Sequence, residues 1–192
     1  MTTDARLSRT DYSAAQTRVL NAAYGLFGDH GVSGTSLQMI ADAIGVTKAA
    51  VYHQFKSKEE IVIAVAETEL IDLQDALDAA EAEPDQPAAR AALLASVVDM
   101  AVTRRKLTGV LQFDPVVVRL LAEYPPFAQF IERLYRVLLG EGAGVEARVN
   151  AAIMSGALSA AVMHPLVTDV DDDTLRTQIL KVTRRILDLP HA

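Results

Sequence analysis

Residues 37–55, LQMIADAIGVTKAAVYHQF, contain two short helical patterns on either side of a glycine. Ile40 and Ile44 have the spacing that places apolar side chains on one face of a first helix. Gly45 follows, and glycine readily adopts the left-handed conformation that a sharp turn needs. Val51 supplies an apolar side chain from the second helix. This pattern predicts a helix-turn-helix, whose second helix can enter the major groove of DNA, although an ordinary helical hairpin has the same spacing.

The second helix of this segment carries small and basic outward residues. There is no acidic residue between Asp42 and Glu59, whereas a solvated surface helix usually carries several. Ala49 and Ala50 are small enough for the backbone to approach base edges, and their methyl groups can contact thymine. The helix begins after Thr47, and free amides at a helix N-terminus attract phosphate. These residues favour a DNA-binding motif over a simple hairpin.

The composition of the whole chain excludes several other classes of protein. Its 192 residues are 51% hydrophobic and 22% charged, which excludes a disordered or fibrous protein. The absence of cysteine excludes a disulfide scaffold, a thiol nucleophile and any cysteine-ligated metal site. The net charge is −7, but residues 1–58 contain six basic and four acidic residues. The basic character is therefore concentrated in the N-terminal part of the chain.

The sequence predicts helices throughout. Seven prolines and ten glycines favour long helices over many short strands. A long helix is expected over residues 58–83 and another over residues 88–106. Residues 1–11 are polar and are expected to fray. We therefore expect an all-α protein, with an N-terminal domain over residues 12–58 and a larger helical domain over residues 59–192.

Targeting segments are not apparent in the sequence. The polar start MTTDARLSRTDYSAAQ lacks the apolar core of a signal peptide. No run of 18 uninterrupted apolar residues occurs, so no membrane span is expected. These features predict a soluble, cytoplasmic protein.

Residues 31–63 resemble the DNA-binding domain of TetR-family transcriptional regulators. The elements TSLQMIA, GVT, VYHQF and KSKEE occur in the order and spacing of that family. The resemblance implies a three-helix DNA-binding domain followed by a helical domain that binds an effector and forms a homodimer. It also implies contacts with double-stranded DNA from eleven residues: Thr35, Ser36, Gln38, Thr47, Lys48, Ala49, Ala50, Tyr52, His53, Gln54 and Lys58.

The family comparison implies different roles within this set. Tyr52 and Lys58 match the family's phosphate-binding tyrosine and lysine. Thr35 and Ser36, at the start of the first motif helix, are also expected to contact phosphate. Gln38 falls where family members often contact a base or an adjacent phosphate. We expect Gln38 and Lys48 to be the best candidates for hydrogen bonds to base edges.

One position departs from the family pattern. Many members have a histidine immediately before the phenylalanine, where this chain has Gln54, and His53 precedes it. Which of the two makes the usual contact stays open.

The C-terminal two-thirds offer two candidate surfaces. A set of aromatic, aliphatic and methionine side chains suits a mostly apolar effector pocket, with plain core packing as the alternative: Val97, Met100, Phe113, Val117, Leu121, Phe127, Phe130 and Leu134. A second set combines small residues of the penultimate helix with apolar residues of the last helix. It predicts a dimer interface, with close packing inside one subunit as the alternative: Ala152, Ser155, Gly156, Ser159, Ile179, Val182 and Ile186.

No residues form a catalytic or metal-binding pattern. His30, His164 and His191 lie outside the motif and have neither metal-ligand spacing nor a nucleophile partner. We therefore expect no cofactor, no metal and no enzymatic activity.

The expected function is that of a DNA-binding regulator. We predict a repressor that binds a palindromic operator as a homodimer and is released by a small, mostly apolar effector. One alternative is a helical protein that binds small molecules without operator-binding activity. Another is a regulator that activates, because activation and repression differ in operator position, which the sequence does not encode.

Overall fold

The computed structural model describes Leu7 and residues 10–189, and this part of the chain folds into ten α-helices without any strand. The all-helical prediction is therefore confirmed. A short 3-10 helix, Pro165–Val167, lies between the last two α-helices. The α-helices are α1 Ala14–Gly34, α2 Leu37–Ala43, α3 Lys48–Gln54, α4 Lys58–Ala82, α5 Gln86–Thr103, α6 Arg105–Phe113, α7 Pro115–Glu123, α8 Pro125–Leu139, α9 Val145–Val162 and α10 Asp172–Ile186.

The described residues divide into two compact units. The first contains Leu7 and residues 10–71 and 109–128, and the second contains residues 72–108 and 129–189. Helix α4 contributes residues to both units. The predicted domain boundary at residue 58 coincides with the start of α4, and it stays a prediction.

The core of the first unit is built from the apolar faces of α1 to α4 and α7. Helical spacing places these side chains on inward faces, where burial removes apolar surface from water. Because α7 contributes Val117 and Leu121 to this core, the first unit is larger than the helix-turn-helix segment. The other buried residues include Val19, Leu20, Ala23, Phe27, Ile40, Ala41, Val51, Phe55, Ile61 and Val62.

Two polar contacts attach α7 to the rest of the first unit. Asp114, the N-cap of α7, accepts hydrogen bonds from the N–H groups of its own helix and also one from the N–H of Val32 in α1. After the other end of α7, the Tyr124 hydroxyl donates to Glu67 Oε1 of α4 at 2.6 Å. Burial, together with this hydrogen bond, raises the pKa of Tyr124. The hydroxyl therefore remains protonated and donates to the carboxylate.

The second unit contains α5, α9, α10 and parts of α4, α6 and α8. Its buried residues include Leu93, Leu94, Val98, Phe130, Leu138, Met154 and Leu158. Arg90 of α5 donates to the carbonyl oxygens of Leu138 at 2.9 Å and Leu187 at 3.3 Å. It therefore satisfies carbonyl groups at the ends of α8 and α10, which lack partners inside their own helices.

Three local expectations need correction. The helix expected over residues 88–106 ends at Thr103, and an unpredicted helix, α6, begins at Arg105. Gly28 and Gly31 predict that the first helix ends between them, but α1 extends to Gly34 and departs from helical geometry only at Gly31, with φ 69° and ψ 168°. Of the segment expected to fray, residues 1–6, 8 and 9 lie outside the described residues, but Leu7 is 4% exposed and therefore packed.

Candidate nucleic-acid interface

Helices α2 and α3 form the predicted helix-turn-helix. Ser36 caps α2 by accepting a hydrogen bond from the N–H of Met39, and Thr47 caps α3 by accepting one from the N–H of Ala50. Gly45, between the helices, has a φ of 69°, which a residue with a side chain rarely adopts. The turn and both helix starts therefore follow from residue types that the sequence displays.

Arg18 of α1 reinforces the turn. Its guanidinium donates to the carbonyl oxygen of Ile44, the C-cap of α2, at 2.9 Å. Sequence reasoning did not single out this residue, because its partner lies 26 positions away and belongs to the backbone.

Most of the predicted DNA-contacting residues are exposed to solvent. Tyr52 is 53% exposed although it is a large aromatic residue. Gln54 and Lys58 are half-buried. The exposed members of the predicted set are Ser36, Gln38, Thr47, Lys48, Ala49, Ala50, Tyr52 and His53. We call the α3 members of this set, Lys48, Ala49, Ala50, Tyr52 and His53, the α3 face.

Thr35 does not occupy the expected position. It is 2% exposed, and its hydroxyl donates to the carbonyl oxygen of Gly31 at 2.8 Å. The cap of α2 is Ser36, while Thr35 terminates α1. A phosphate contact from the Thr35 side chain would require this hydrogen bond and the surrounding packing to be broken, so its evident role is to hold the end of α1.

Lys58 is also engaged inside the protein. Its Nζ donates to the carbonyl oxygens of Val32 at 2.7 Å and Thr35 at 3.0 Å. These carbonyl groups lie at the C-terminal end of α1, where a cation is favourable. In this structure Lys58, the predicted phosphate-binding lysine, therefore joins the start of α4 to the end of α1.

The remaining polar side chains near the α3 face have local partners. Gln38 Nε2 donates to Asp42 Oδ1 at 2.7 Å. Lys56 Nζ lies 5.5 Å from the centroid of the Tyr52 ring, which is a cation–π distance. Lys56 therefore places a positive charge beside Tyr52, and the structure gives it a more specific position than its sequence context indicated. The side chains of His53 and Gln54 lie 3.5 Å apart, and the choice between them stays open.

The predicted effector-pocket residues divide between the two units. In the first unit, Phe113 is 54% exposed, Phe127 is half-buried, and Val117 and Leu121 are buried. The members in the second unit are Val97, Met100, Phe130 and Leu134, of which the last two are buried. Met100 lines a groove of about 400 Å³ in the second unit, together with Leu73 and Leu180. The effector pocket stays a prediction.

The predicted dimer-interface residues also differ in exposure. Ser159 and Ile179 are buried within their own subunit, which corrects their assignment to an intermolecular surface. Ser155, Gly156 and Ile186 are half-buried, and Ala152 and Val182 are exposed. The outward side of α9 carries larger apolar residues that sequence reasoning missed: Val145, Val149, Ile153 and Met163, the last of which is the C-cap. Their spacing of four, four and ten residues places them on one side of a helix, and this is the sequence pattern that indicates the surface.

The described residues contain neither a membrane-spanning helix nor a cluster of metal ligands. No helix in residues 10–189 is both long and apolar enough to cross a membrane. Within the same part of the chain, no three histidine or carboxylate side chains are close enough together to hold a metal ion.

Comparison with known proteins identifies the N-terminal segment. Residues 19–65 match the model of a family described as bacterial regulatory proteins, tetR family. The HTH-type transcriptional regulator AcrR of Shigella flexneri is 46% identical over 55 residues, which are 28% of this chain and 26% of that protein. The HTH-type transcriptional repressor KstR2 of Rhodococcus jostii is 38% identical over 61 residues, 32% of this chain and 30% of that protein. The chain thus aligns with about a quarter to a third of the length of these curated relatives.

Solved structures extend the likeness in fold to nearly the whole chain. NalD, the secondary repressor of the MexAB-OprM multidrug efflux pump in Pseudomonas aeruginosa, has a TM-score of 0.65 at 23% identity, and the match covers 89% of this chain and 94% of NalD. A TetR-family transcriptional regulator from Bordetella parapertussis has a TM-score of 0.67 at 19% identity, with 94% and 100% covered. At these identities the likeness concerns the fold.

The fold and the capped helix pair define an all-helical protein of the helix-turn-helix class. Residues 19–65 are similar to the tetR family of bacterial regulatory proteins, which confirms the resemblance predicted from residues 31–63.

Proposed function

We propose that this protein regulates transcription by binding double-stranded DNA through the α3 face. The observation that carries the proposal is the exposure, on one capped helix, of a lysine, two alanines and a tyrosine. Alanine side chains permit close approach to base edges, Lys48 supplies charge and a donor, and the exposed Tyr52 side chain carries a hydroxyl that can donate to a phosphate oxygen. Helix α3 is the recognition helix in this account.

We further propose that the protein is a repressor acting on a two-fold symmetric operator. Two relatives that match its N-terminal segment, AcnR of Corynebacterium diphtheriae and KstR2, are named as transcriptional repressors, which supports this choice. One recognition helix contacts few base pairs, and a dimer doubles these contacts. A symmetric dimer would place its two α3 helices about one DNA turn apart, roughly 34–36 Å.

The proposed dimer surface is the outward side of α9 with Val182 of α10. A symmetric interface needs a self-complementary apolar patch, and exposed apolar residues with a small residue among them provide one. Ile153 is 58% exposed, and Gly156 lies one turn further along the helix. This surface retains Ala152, Gly156 and Val182 from the sequence prediction and adds Val145, Val149 and Ile153.

Release from DNA is proposed to follow binding of a small, mostly apolar effector in the helical domain. The effector must bind the conformation with low DNA affinity more tightly than the conformation with high affinity. A 100-fold reduction in operator affinity requires a difference of about 2.7 kcal/mol between the two. The proposed setting is the cytoplasm, where the operator would be found.

A salt titration of DNA binding tests the proposal and separates it from the main alternative, a helical protein that binds small molecules only. The full chain is titrated against a fluorescent duplex at several salt concentrations, alongside a Lys48→Ala variant. The proposal predicts affinity that falls with salt and a weaker variant. Salt-independent or absent binding by the wild-type protein would favour the alternative. An activating role would appear as increased transcription from an operator upstream of a promoter.

A further inference from the structure

Two buried polar atoms of the second unit have no hydrogen-bond partner among the described residues: the donor Nε of Arg184, in α10, and the acceptor Oε1 of Gln74, in α4. Gln74 is the more deeply buried residue of the two, and only 3% of its surface is exposed. Protein interiors rarely leave a carbonyl oxygen in this state, because it loses its hydrogen bonds to water and gains none in return. An unpaired acceptor in the core therefore calls for an explanation.

The orientation of the Gln74 amide is determined by its neighbour. Nε2 donates to Asp78 Oδ1 at 2.7 Å, one turn further along α4. The same Asp78 oxygen accepts from a guanidinium nitrogen of Arg133 in α8, and Arg133 also binds Glu81. A carboxylate in such an ion pair accepts hydrogen bonds and donates none. Only the NH2 group of Gln74 can face it, so Oε1 is held facing away from Asp78.

The buried residues at neighbouring positions of α4, and on the part of α8 that contacts α4 through Arg133, are mostly apolar. Leu73 and Leu77 on α4 are buried, and so are Phe130, Leu134 and Val137 on α8, the helix from which Arg133 reaches Asp78. Gln74 was not among the residues expected to line an effector pocket. Nothing in the sequence distinguishes it, because a glutamine within a long helix is ordinarily solvated.

We infer that Gln74 Oε1 is the hydrogen-bond acceptor for the effector, and that the effector is a mostly apolar compound carrying an O–H or N–H donor. This inference rests on the proposed function and specifies the chemical class of its ligand. A donor group pairs with Oε1 and relieves an existing defect. An ether, an ester or a carboxylate would bring another acceptor against Oε1 and leave both oxygens unpaired, so such compounds are disfavoured.

Matched probes test the inference with the full 192-residue chain. Decan-1-ol is compared with its methyl ether, and 1-naphthol with 1-methoxynaphthalene, by titration calorimetry. Within each pair the apolar body is nearly constant and the donor is present or absent. We expect the wild-type protein to prefer at least one alcohol over its ether by about tenfold, as a hydrogen bond to a buried acceptor provides. Equal binding within both pairs, or no binding of either alcohol, would overturn the inference, as would a permanently bound water satisfying Oε1.

Two variants assign the preference to Gln74. Gln74→Met keeps the volume of the side chain and removes the acceptor, so the variant should bind the alcohol and its ether with about equal affinity. Gln129→Met makes the same change at an exposed position of α8 and should leave the preference unaltered. A preference that persists in Gln74→Met contradicts the assignment.

Asp78→Asn keeps the test valid if Gln74→Met fails to fold. An asparagine can donate as well as accept, which allows the Gln74 amide to turn over and present Nε2 instead of Oε1. The ether should then gain affinity relative to the alcohol, a reversal that a purely structural role would not produce. Unchanged selectivity in a folded Asp78→Asn protein would count against the inference.

DNA binding by the same proteins without any probe distinguishes a failure of the inference about Gln74 from a failure of the proposed function. If the wild-type protein binds DNA but does not discriminate between the probes, the inference about Gln74 fails and the proposed function survives. If it discriminates between the probes but does not bind DNA, the proposed function fails instead.

Discussion

The Oδ2 atom of Asp114 accepts a hydrogen bond from the backbone N–H of Val32 at 2.9 Å. Its other carboxylate oxygen accepts from the N–H of Val116 at 2.9 Å, as the N-cap of α7. The carbonyl oxygen of Val32 in turn accepts from Lys58 Nζ at 2.7 Å. Val32 therefore joins the start of α7 to the start of α4, beside the helix-turn-helix.

Replacing Asp114 by alanine should weaken both folding and DNA binding. The variant loses the cap of α7 and leaves the N–H of Val32 unpaired, which together cost about 1–3 kcal/mol. Chemical denaturation measures the loss, and DNA titration at a temperature where the variant is folded measures the affinity. Asp171→Ala is the matched control, because Asp171 caps α10 in the second unit. If both variants bind DNA equally well, the Asp114–Val32 contact does not position the DNA-binding helices.

Alanine at Gly31 should be more destabilising than alanine at Gly45. Both glycines have a φ of 69°, so both substitutions impose backbone strain. At Gly31 the ψ of 168° places the residue in a region that is essentially restricted to glycine, and a Cβ atom would also lie 3.3 Å from Asp114 Oδ2. At Gly45 a Cβ atom meets nothing within 4 Å. Urea denaturation should give a loss of about 1–3 kcal/mol at Gly31, and an equal or smaller loss there than at Gly45 would contradict this reasoning.

The helix-turn-helix was predictable because its determinants are local. Ser36, Gly45 and Thr47 act through their own backbone conformation or through groups three residues away. The roles of Thr35 and Lys58 were not predictable in this way. Lys58 donates to carbonyl oxygens 23 and 26 residues away. Thr35 donates to Leu26, nine residues away, as well as to Gly31, and this requires the irregular backbone at Gly31.

Helix α6 and the outward side of α9 show a second limit of sequence reasoning. The break between α5 and α6 falls at Arg104 and contains neither glycine nor proline. The Arg104 side chain pairs with Asp72 of α4, which lies 32 residues away in the sequence. On α9, small residues alone did not distinguish the inner side from the outer side. Ser159 can be buried because its hydroxyl donates a hydrogen bond to the carbonyl oxygen of Ser155, so the hydroxyl is not left unpaired.

Tyr52→Phe should reduce DNA affinity about tenfold for all sequences alike. The change removes one hydroxyl, and a hydrogen bond from that hydroxyl to a charged phosphate accounts for a loss of this size. The cation–π contact with Lys56 is retained, since phenylalanine keeps the ring face. Tyr135→Phe, in α8, removes a hydroxyl far along the chain and should have no effect. A change in sequence preference without loss of affinity would show that the hydroxyl contacts a base.

Lys48→Ala and Gln38→Ala should each relax specificity at one base pair of a half-site. Both side chains are exposed, and a good contact to a base edge contributes about 1–3 kcal/mol of discrimination. Gln38 must exchange its hydrogen bond to Asp42 for one to a base, so its contribution should be the smaller. Selection from randomised duplexes measures the preferences. Unchanged preferred sequences for both variants would remove these residues from base recognition.

Gly156→Leu should convert the proposed dimer into a monomer, or misalign it, while leaving the subunit folded. A Cβ atom at Gly156 meets nothing within 4 Å inside the chain, so the subunit itself accommodates the change. A leucine on a close helix contact between subunits would force them apart. Sedimentation velocity reports the association state, with Ala92→Leu on α5 as an exposed control. A variant that remains dimeric with normal DNA affinity would place the interface elsewhere.

The central claim is that α3 is a DNA recognition helix. Two steps test it most directly: the wild-type protein selects binding sites from a pool of randomised duplex DNA, and its affinity for the most enriched site is then titrated against salt. The account predicts enrichment of a two-fold symmetric sequence whose half-sites are about one DNA turn apart. Affinity for that site should fall with salt, with a log–log slope of roughly −0.9 for each phosphate neutralised. A pool that yields no enriched sequence, together with no salt-dependent binding, would contradict the assignment of α3 as a recognition helix.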